Sequence, residues 1–279
     1  MEILKEITKE VFEQHVPVAK MPERNTSVFN RMELLLQTAY VMMIKTLVSP
    51  KCESALGEGE LKDLAIRVVC LDAFVRAVRS LDLVLTATGF GIVSTESTAP
   101  ASRARVDALA EEMAVEELYT VDLIVQELVK LKGWGDTEQA KRRIPTLFYR
   151  PVFLKMWATM PLTSQNWQVA CGRAASADTF LREEISEEYM DELLAKTRTA
   201  TLDNADIIVI DKCNGFTGDF VSNYELSKGM PNKMMLRSIM EQLESYPGSY
   251  PTYVQSRLYA KRHAEKFQNR KEDPTFFFV

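Results

Sequence analysis

The chain has 279 residues, 46% of them hydrophobic and 26% charged, with a formal net charge of −5 and a sequence pI near 5.4. That length suits one large domain or two ordinary ones, and the composition can bury a core while keeping a charged surface. The acidic balance argues against broad nucleic-acid binding, which carries a basic excess, and leaves only a local basic patch open.

Met1 to Lys9 alternates charged and apolar residues, so no signal peptide is read there. The most apolar stretch, Leu34 to Val48, contains Gln37 and Lys45 and is too short to span a bilayer. The expectation is a soluble protein made in a cytoplasm. Cys52, Cys70, Cys171 and Cys213 are widely spaced, with no paired-cysteine motif, and no disulfide framework is expected.

Residues 1–30 lack a strong pattern and contain Pro17 and Pro22, which predicts a short helix followed by an extended N-terminal arm. A helical domain is expected over 31–135. From Arg31 to Val48, Leu34, Leu35, Ala39, Met42 and Met43 recur at helical spacing, and Pro50 stops that helix. The next helix, about Glu60 to Leu81, is apolar on nearly every side, which places it at the centre of a bundle or against another subunit. Two short strands, Leu83 to Thr86 and Phe90 to Ser94, form a hairpin over 83–94. A long helix follows from Arg103 to Leu131, capped by Ser102 and ended by Gly133 and Gly135.

A linking segment, 136–172, reads as short helices and loops around Pro145, Pro151 and Pro161, packing one half on the other. A second helical region, 173–268, is expected to hold helices over Thr179 to Thr199, Asp203 to Phe220, Lys233 to Tyr246 and Tyr250 to Phe267. Residues 269–279 form a C-terminal docking tail ending in Phe276, Phe277 and Phe278, which must fold onto the core or dock on another chain. The fold class is mainly α: a helical bundle with a short β-hairpin inserted before a long helix. The halves share a layout that suggests duplication, without a residue-level repeat.

The sequence assigns no catalytic residue, cofactor or metal site. Its two histidines, His15 and His263, lie apart and match no zinc motif. Gly89, Phe90 and Gly91 begin like a dinucleotide fingerprint, but Ser94 replaces the third glycine and the segment lies between strands instead of opening a helix. They are read as a partner-binding hairpin. The acidic pairs Glu111-Glu112, Glu116-Glu117, Glu183-Glu184 and Glu187-Glu188 read as solvated helix faces. Lys141, Arg142 and Arg143, with Lys261, Arg262 and Lys266, are the candidates for facing DNA.

Thr88-Gly-Phe-Gly-Ile-Val-Ser94, Ala99-Pro-Ala-Ser102, Arg105-Val106 and the ending Glu265 to Phe278 carry a resemblance. They are similar to a largely uncharacterised protein family of phages and prophages of Bacteroides-type bacteria. The arrangement of two helices, a hairpin and a long helix also looks like the head–tail connector (adaptor) proteins of long-tailed phages. The resemblance implies a non-enzymatic virion protein in the neck region, forming a ring, a dodecamer by analogy. Its partners would be the portal protein and tail or neck proteins, with DNA passing through the lumen and no membrane. A tail terminator, a tail-completion protein, a minor head protein and a DNA-binding packaging protein are the alternatives.

Overall fold

The computed structural model describes residues 2–17, 27–81, 83–86, 89–92 and 101–264. The chain folds as a mainly α-helical bundle. Its first part holds α1 (Glu2–Glu6), α2 (Lys9–His15), α3 (Ser27–Met43), α4 (Glu60–Ala77), β1 (Leu83–Thr86), β2 (Gly89–Ile92) and α5 (Arg103–Leu128). Two short helices, α6 (Glu138–Arg143) and α7 (Val152–Met156), lead into α8 (Ser164–Glu184), α9 (Glu187–Thr199), α10 (Asn204–Ser227) and α11 (Lys233–Ser245). The short α12 (Pro251–Val254) and α13 (Arg257–Arg262) follow.

Helix α4 is the axis of the first part. It packs against α3 and α5. Leu61, Ile66, Val69, Leu71 and Phe74 point in different directions around it, yet all are buried. The nearly continuous apolar surface is thus consumed within the chain, and α4 is central rather than an interface.

Residues 2–17 hold two short helices where the sequence predicts one and the start of an arm, and residues 18–26 of that arm lie outside the described residues. Ile3, Ile7, Phe12 and Val16 are buried, and the Thr8 hydroxyl accepts from the Val11 amide at 3.4 Å to cap α2. Helices this short are marginal alone, so burial of one apolar face against α4 and its neighbours holds them.

At its end α3 widens into a π-helical turn, Ile44–Val48, closed by the Ser49 amide donating to Ile44 O at 2.9 Å. Pro50 cannot continue the ladder and opens a 3-10 stretch, Pro50–Gly57. Two remote side chains bond to carbonyls of the widened turn. The Trp134 indole Nε1 donates to Leu47 O at 3.0 Å, and Gln139 Nε2 donates to Lys45 O at 2.9 Å. The start of the linking segment is therefore built into the first part.

One apolar core runs from Ile3 to Tyr253 and includes Trp134, Ala140, Ile144 and Leu147. Residues 136–172 are thus partly core, and the second helical region starts at Ser164, before the expected 173. Thr163 caps that start by accepting from the Asn166 amide at 3.0 Å. The helix expected over Thr179 to Thr199 is broken at Ile185-Ser186, because the Ser186 hydroxyl caps α9 by accepting from the Tyr189 amide at 3.1 Å. Asp203 caps α10 as expected, in a capping box with Asp206. The last expected helix is divided into α12 and α13, with Ser256 capping the second.

A smaller apolar cluster, Leu154, Ala158, Ala170 and Val221, seats α7 and its following loop on α8 and α10. Gly218 makes this approach possible: a Cβ there would lie 2.5 Å from Trp157 Cβ and 2.6 Å from its carbonyl carbon and oxygen. Gly218→Ala gains about 1 kcal/mol of helix propensity. Overpacking against backbone costs about 1–3 kcal/mol, so the balance is expected to be destabilising. Thermal melting should show a lower midpoint than wild type; a raised midpoint would contradict the close approach.

Candidate functional site

The hairpin follows α4 and precedes α5 in the chain. Its antiparallel register pairs Leu83 with Ile92, Val84 with Gly91, Leu85 with Phe90 and Thr86 with Gly89. Apolar residues thus oppose each other at two positions, and a glycine opposes Val84 and Thr86. The second strand begins one residue before the expected Phe90 and is described to Ile92; Val93 and Ser94 lie outside the described residues. Gly89 and Gly91 sit in a strand, so their amides do not form the helix N-terminus that a phosphate cradle needs. Among the described residues the sheet has two strands, which leaves the outer edge of each without a strand partner.

A second feature lies where α3, α4, α5 and α6 meet. Asp72, Arg76, Glu117 and Arg143 line a cleft of about 220 Å³, with Met42 and Leu118 on its apolar wall. Asp72 and Arg76 are one helical turn apart and paired, Nε to Oδ1 at 2.7 Å. Burial pushes the Glu117 carboxyl up to about 7; nearby Asp72 adds to this, and Arg76 and Arg143 oppose it. Burial also lowers the Arg143 guanidinium from its ordinary value, against the pull of Cys171, Glu117 and Asp122.

These residues correct two sequence readings. Glu117 is not part of a solvated face: it continues the stripe Met113, Val121, Ile124 and Leu128 at intervals of helical spacing, and all four of those are buried. Its neighbour Glu116 reaches Arg67 Nη2 at 2.7 Å, and Glu111 Oε1 accepts from the Ser164 amide at 2.6 Å at the start of α8. The basic triplet is also divided. Lys141 and Arg142 are exposed, while Arg143 turns into the cleft because buried Ala140 and Ile144 set the rotation of α6. Lys141 is paired with Glu138 at 3.1 Å.

Asp122 is a residue that the sequence reading missed. Arg150 grips it with two parallel bonds, Nε to Oδ1 at 3.0 Å and Nη2 to Oδ2 at 2.9 Å, and so ties the α6–α7 loop to α5. The available signal was an acid inside an apolar stripe, between Val121 and Ile124.

The second basic cluster is partly neutralised. Arg262 Nη2 lies 2.9 Å from Glu184, and the His263 ring stacks on Tyr259 with Nε2 3.2 Å from Glu244. Lys261 is exposed. The cluster is remote in the chain from Lys141 and Arg142. Lys266, Phe276, Phe277 and Phe278 lie outside the described residues. Among the described residues no group of three or more His, Cys, Asp or Glu is placed to hold a metal ion, and no helix is long and apolar enough to cross a membrane.

Residues 25–144 match DUF6712, a family of unknown function. The matched stretch runs through α3, α4, the hairpin, α5 and α6, and so contains both the unpaired strand edges and the Glu117 cleft. No curated protein and no solved structure matches the chain.

Proposed function

We propose that this protein is a structural subunit of a tailed-phage particle, a head–tail connector that forms a ring between portal and tail and works by contact rather than by catalysis. The observation that carries this reading is the two-stranded hairpin between α4 and α5. An isolated two-stranded hairpin is marginal in water and presents free edges. A neighbour's strand laid along one edge would satisfy its backbone groups and hold it in place. The similarity of Thr88 to Ser94 and Ala99 to Ser102 to phage and prophage proteins supports the same direction.

DNA enters this reading as cargo in the lumen. The net charge of −5 and the ion-paired state of Lys141 and Arg262 favour a weak, sliding contact over a phosphate grip. Arg142 and Lys261 are the exposed side chains through which such contact would run.

The test is the mass of the purified protein by light scattering, alone and mixed with the portal protein of the same genome. The expected result is a complex of fixed stoichiometry with the portal ring. Residues 83–92 should be protected from amide exchange in that complex relative to the free chain. A protein that ignores the portal would end the connector reading and favour a tail-side or minor head role.

A further inference from the structure

The large hydrophobic side chains left in solvent are not scattered evenly. Leu226 is 85% exposed, Met230 63% and Met234 82%: Leu226 lies at the end of α10, Met230 in the turn that follows, and Met234 at the beginning of α11. Single exposed apolar residues need no explanation, but three at one tip form a patch.

The tip is also rigidly built. Lys228 and Gly229 both adopt left-handed backbone angles, with φ of 52° and 71°. The Gly229 amide donates to Tyr224 O at 2.9 Å, and the Met230 amide to Ser227 O at 3.1 Å. Asn232 accepts from the Met234 amide at 3.2 Å through Oδ1 and reaches Asp219 through Nδ2 at 3.3 Å. A preorganised tip loses little conformational freedom on docking.

An apolar groove lies elsewhere on the same chain. A groove of about 650 Å³ lies between α1 and α3, with Leu4, Ile7, Phe29 and Val41 on its apolar lining and Lys5 and Glu33 among its polar residues. The volume falls in the range that accepts a cluster of apolar groups. Methionines suit such an opening because their side chains adapt to irregular walls.

The charges agree with this match. Lys228 and Lys233 flank the tip, and none of Lys5, Glu33, Lys228 and Lys233 has an ion pair among the described residues. Glu225, beside Leu226, is 80% exposed at its side chain although it pairs with Arg173. Lys228 and Lys233 are opposite in sign to Glu33 of the groove, and Glu225 is opposite to Lys5.

We infer that the α10–α11 tip of one copy of this chain inserts into the α1–α3 groove of a second copy. Tip and groove are different surfaces, so the contact is head-to-tail and repeats from copy to copy until rotation closes a ring. The inference rests on the reading of this protein as a self-assembling subunit and names the surfaces that would join.

Sedimentation velocity on the full chain across a concentration series tests it. The tip variant carries Leu226→Asp and Met234→Asp; the groove variant carries Val41→Glu. Each changes exposed positions, and circular dichroism must show wild-type helicity. Each variant alone is expected to associate at least about tenfold more weakly than wild type, the effect of removing a central apolar anchor. Mixed, the two variants retain one intact tip and one intact groove. They should form a dimer of the two and nothing larger.

Glu33→Lys should weaken association, and adding Lys228→Glu with Lys233→Glu should restore it. Undiminished self-association of the folded variants, or a mixture that forms no dimer, overturns the contact. Loss of association on removal of residues 265–279, with the tip variant unaffected, assigns the groove to that segment and also overturns it. A chain that joins the portal in fixed ratio while the tip and groove variants assemble normally would refute this contact and leave the connector reading intact.

Discussion

Replacing Trp134 with alanine is expected to lower the stability of the fold by about 4 kcal/mol. Trp134 is fully buried and belongs to the core that runs through both parts of the chain. Its indole nitrogen also donates to Leu47 O in the π-helical turn at 3.0 Å. The substitution therefore combines a large cavity with the loss of a donor to a buried carbonyl. Trp134→Phe separates the two effects. It keeps much of the ring packing and removes the donor, and should cost about 1–3 kcal/mol. Total stabilities of about 5–15 kcal/mol make the alanine loss easy to see in urea unfolding. The denaturation midpoint should fall with little change in slope, because one core unfolds as one unit. An alanine variant within 1 kcal/mol of wild type would show that Trp134 does not join α5 to the α3 turn in the way described.

Glu117→Gln should stabilise the protein at alkaline pH and leave it unchanged in acid. Burial among α3, α4, α5 and α6 raises this carboxyl from 4.5 to about 7. The folded state therefore binds the proton more tightly than the unfolded state. Stability from this group is fully present below the unfolded value of 4.5 and is lost as pH rises to about 7. The amide mimics the protonated acid, so it removes the loss. The upper bound of that loss is about 3 kcal/mol, from 1.36 kcal/mol per pKa unit. Glu117 is only partly buried, so solvent screens part of it, and about 2 kcal/mol at pH 8 is expected.

His15 gives the wild-type profile an opposite slope. Burial lowers its folded pKa, as does Arg67, so stability falls as pH drops through 6.5. The difference between wild type and Glu117→Gln cancels that contribution. Urea titrations at pH 4, 6 and 8 measure it directly. A difference that does not grow between pH 4 and pH 8 would mean that Glu117 is solvated in the folded protein.

The charged groups around Glu117 set the limits of this prediction. Asp72 and Arg76 come from α4, and Arg143 from α6. Asp72 is held by Arg76 at 2.7 Å, so it opposes the Glu117 charge without a spare cation of its own. Arg76 and Arg143 both answer Glu117, and burial lowers the Arg143 guanidinium from its ordinary value.

Much of the bundle was legible in the sequence because its signals are local. The apolar residues of 60–81 occupy nearly every side of the helix, and α4 accordingly packs against both α3 and α5. Pro50 ends the preceding helix, Ser102 precedes the long α5, and Asp203 accepts from the Asp206 amide at 2.8 Å to start α10. Strand β2 carries the glycines that pair with Val84 and Thr86.

Other features depended on groups far apart in the chain. Ser186 was hidden inside an apolar period that runs on from Leu181 to Leu194, and its cap splits that stretch into α8 and α9. The N-terminal helices have too few residues to be stable alone, so their presence depends on the surface that α4 offers to Ile3, Ile7 and Phe12. Glu116 and Glu117 are adjacent and chemically alike. Only the rotation of α5 against α4 sends one to Arg67 and the other into the cleft.

By itself, then, the sequence determined that the chain is mainly helical, several helix starts, and which helix faces seek burial, since periodicity and capping act over a few residues. The tertiary structure decided which polar groups share that burial. Trp134 meets a carbonyl 87 residues away, Arg150 meets an aspartate 28 residues away, and Arg143 turns inward while Lys141 and Arg142 stay in solvent. A buried polar group needs a partner at hydrogen-bonding distance, and only the packed chain brings such partners together.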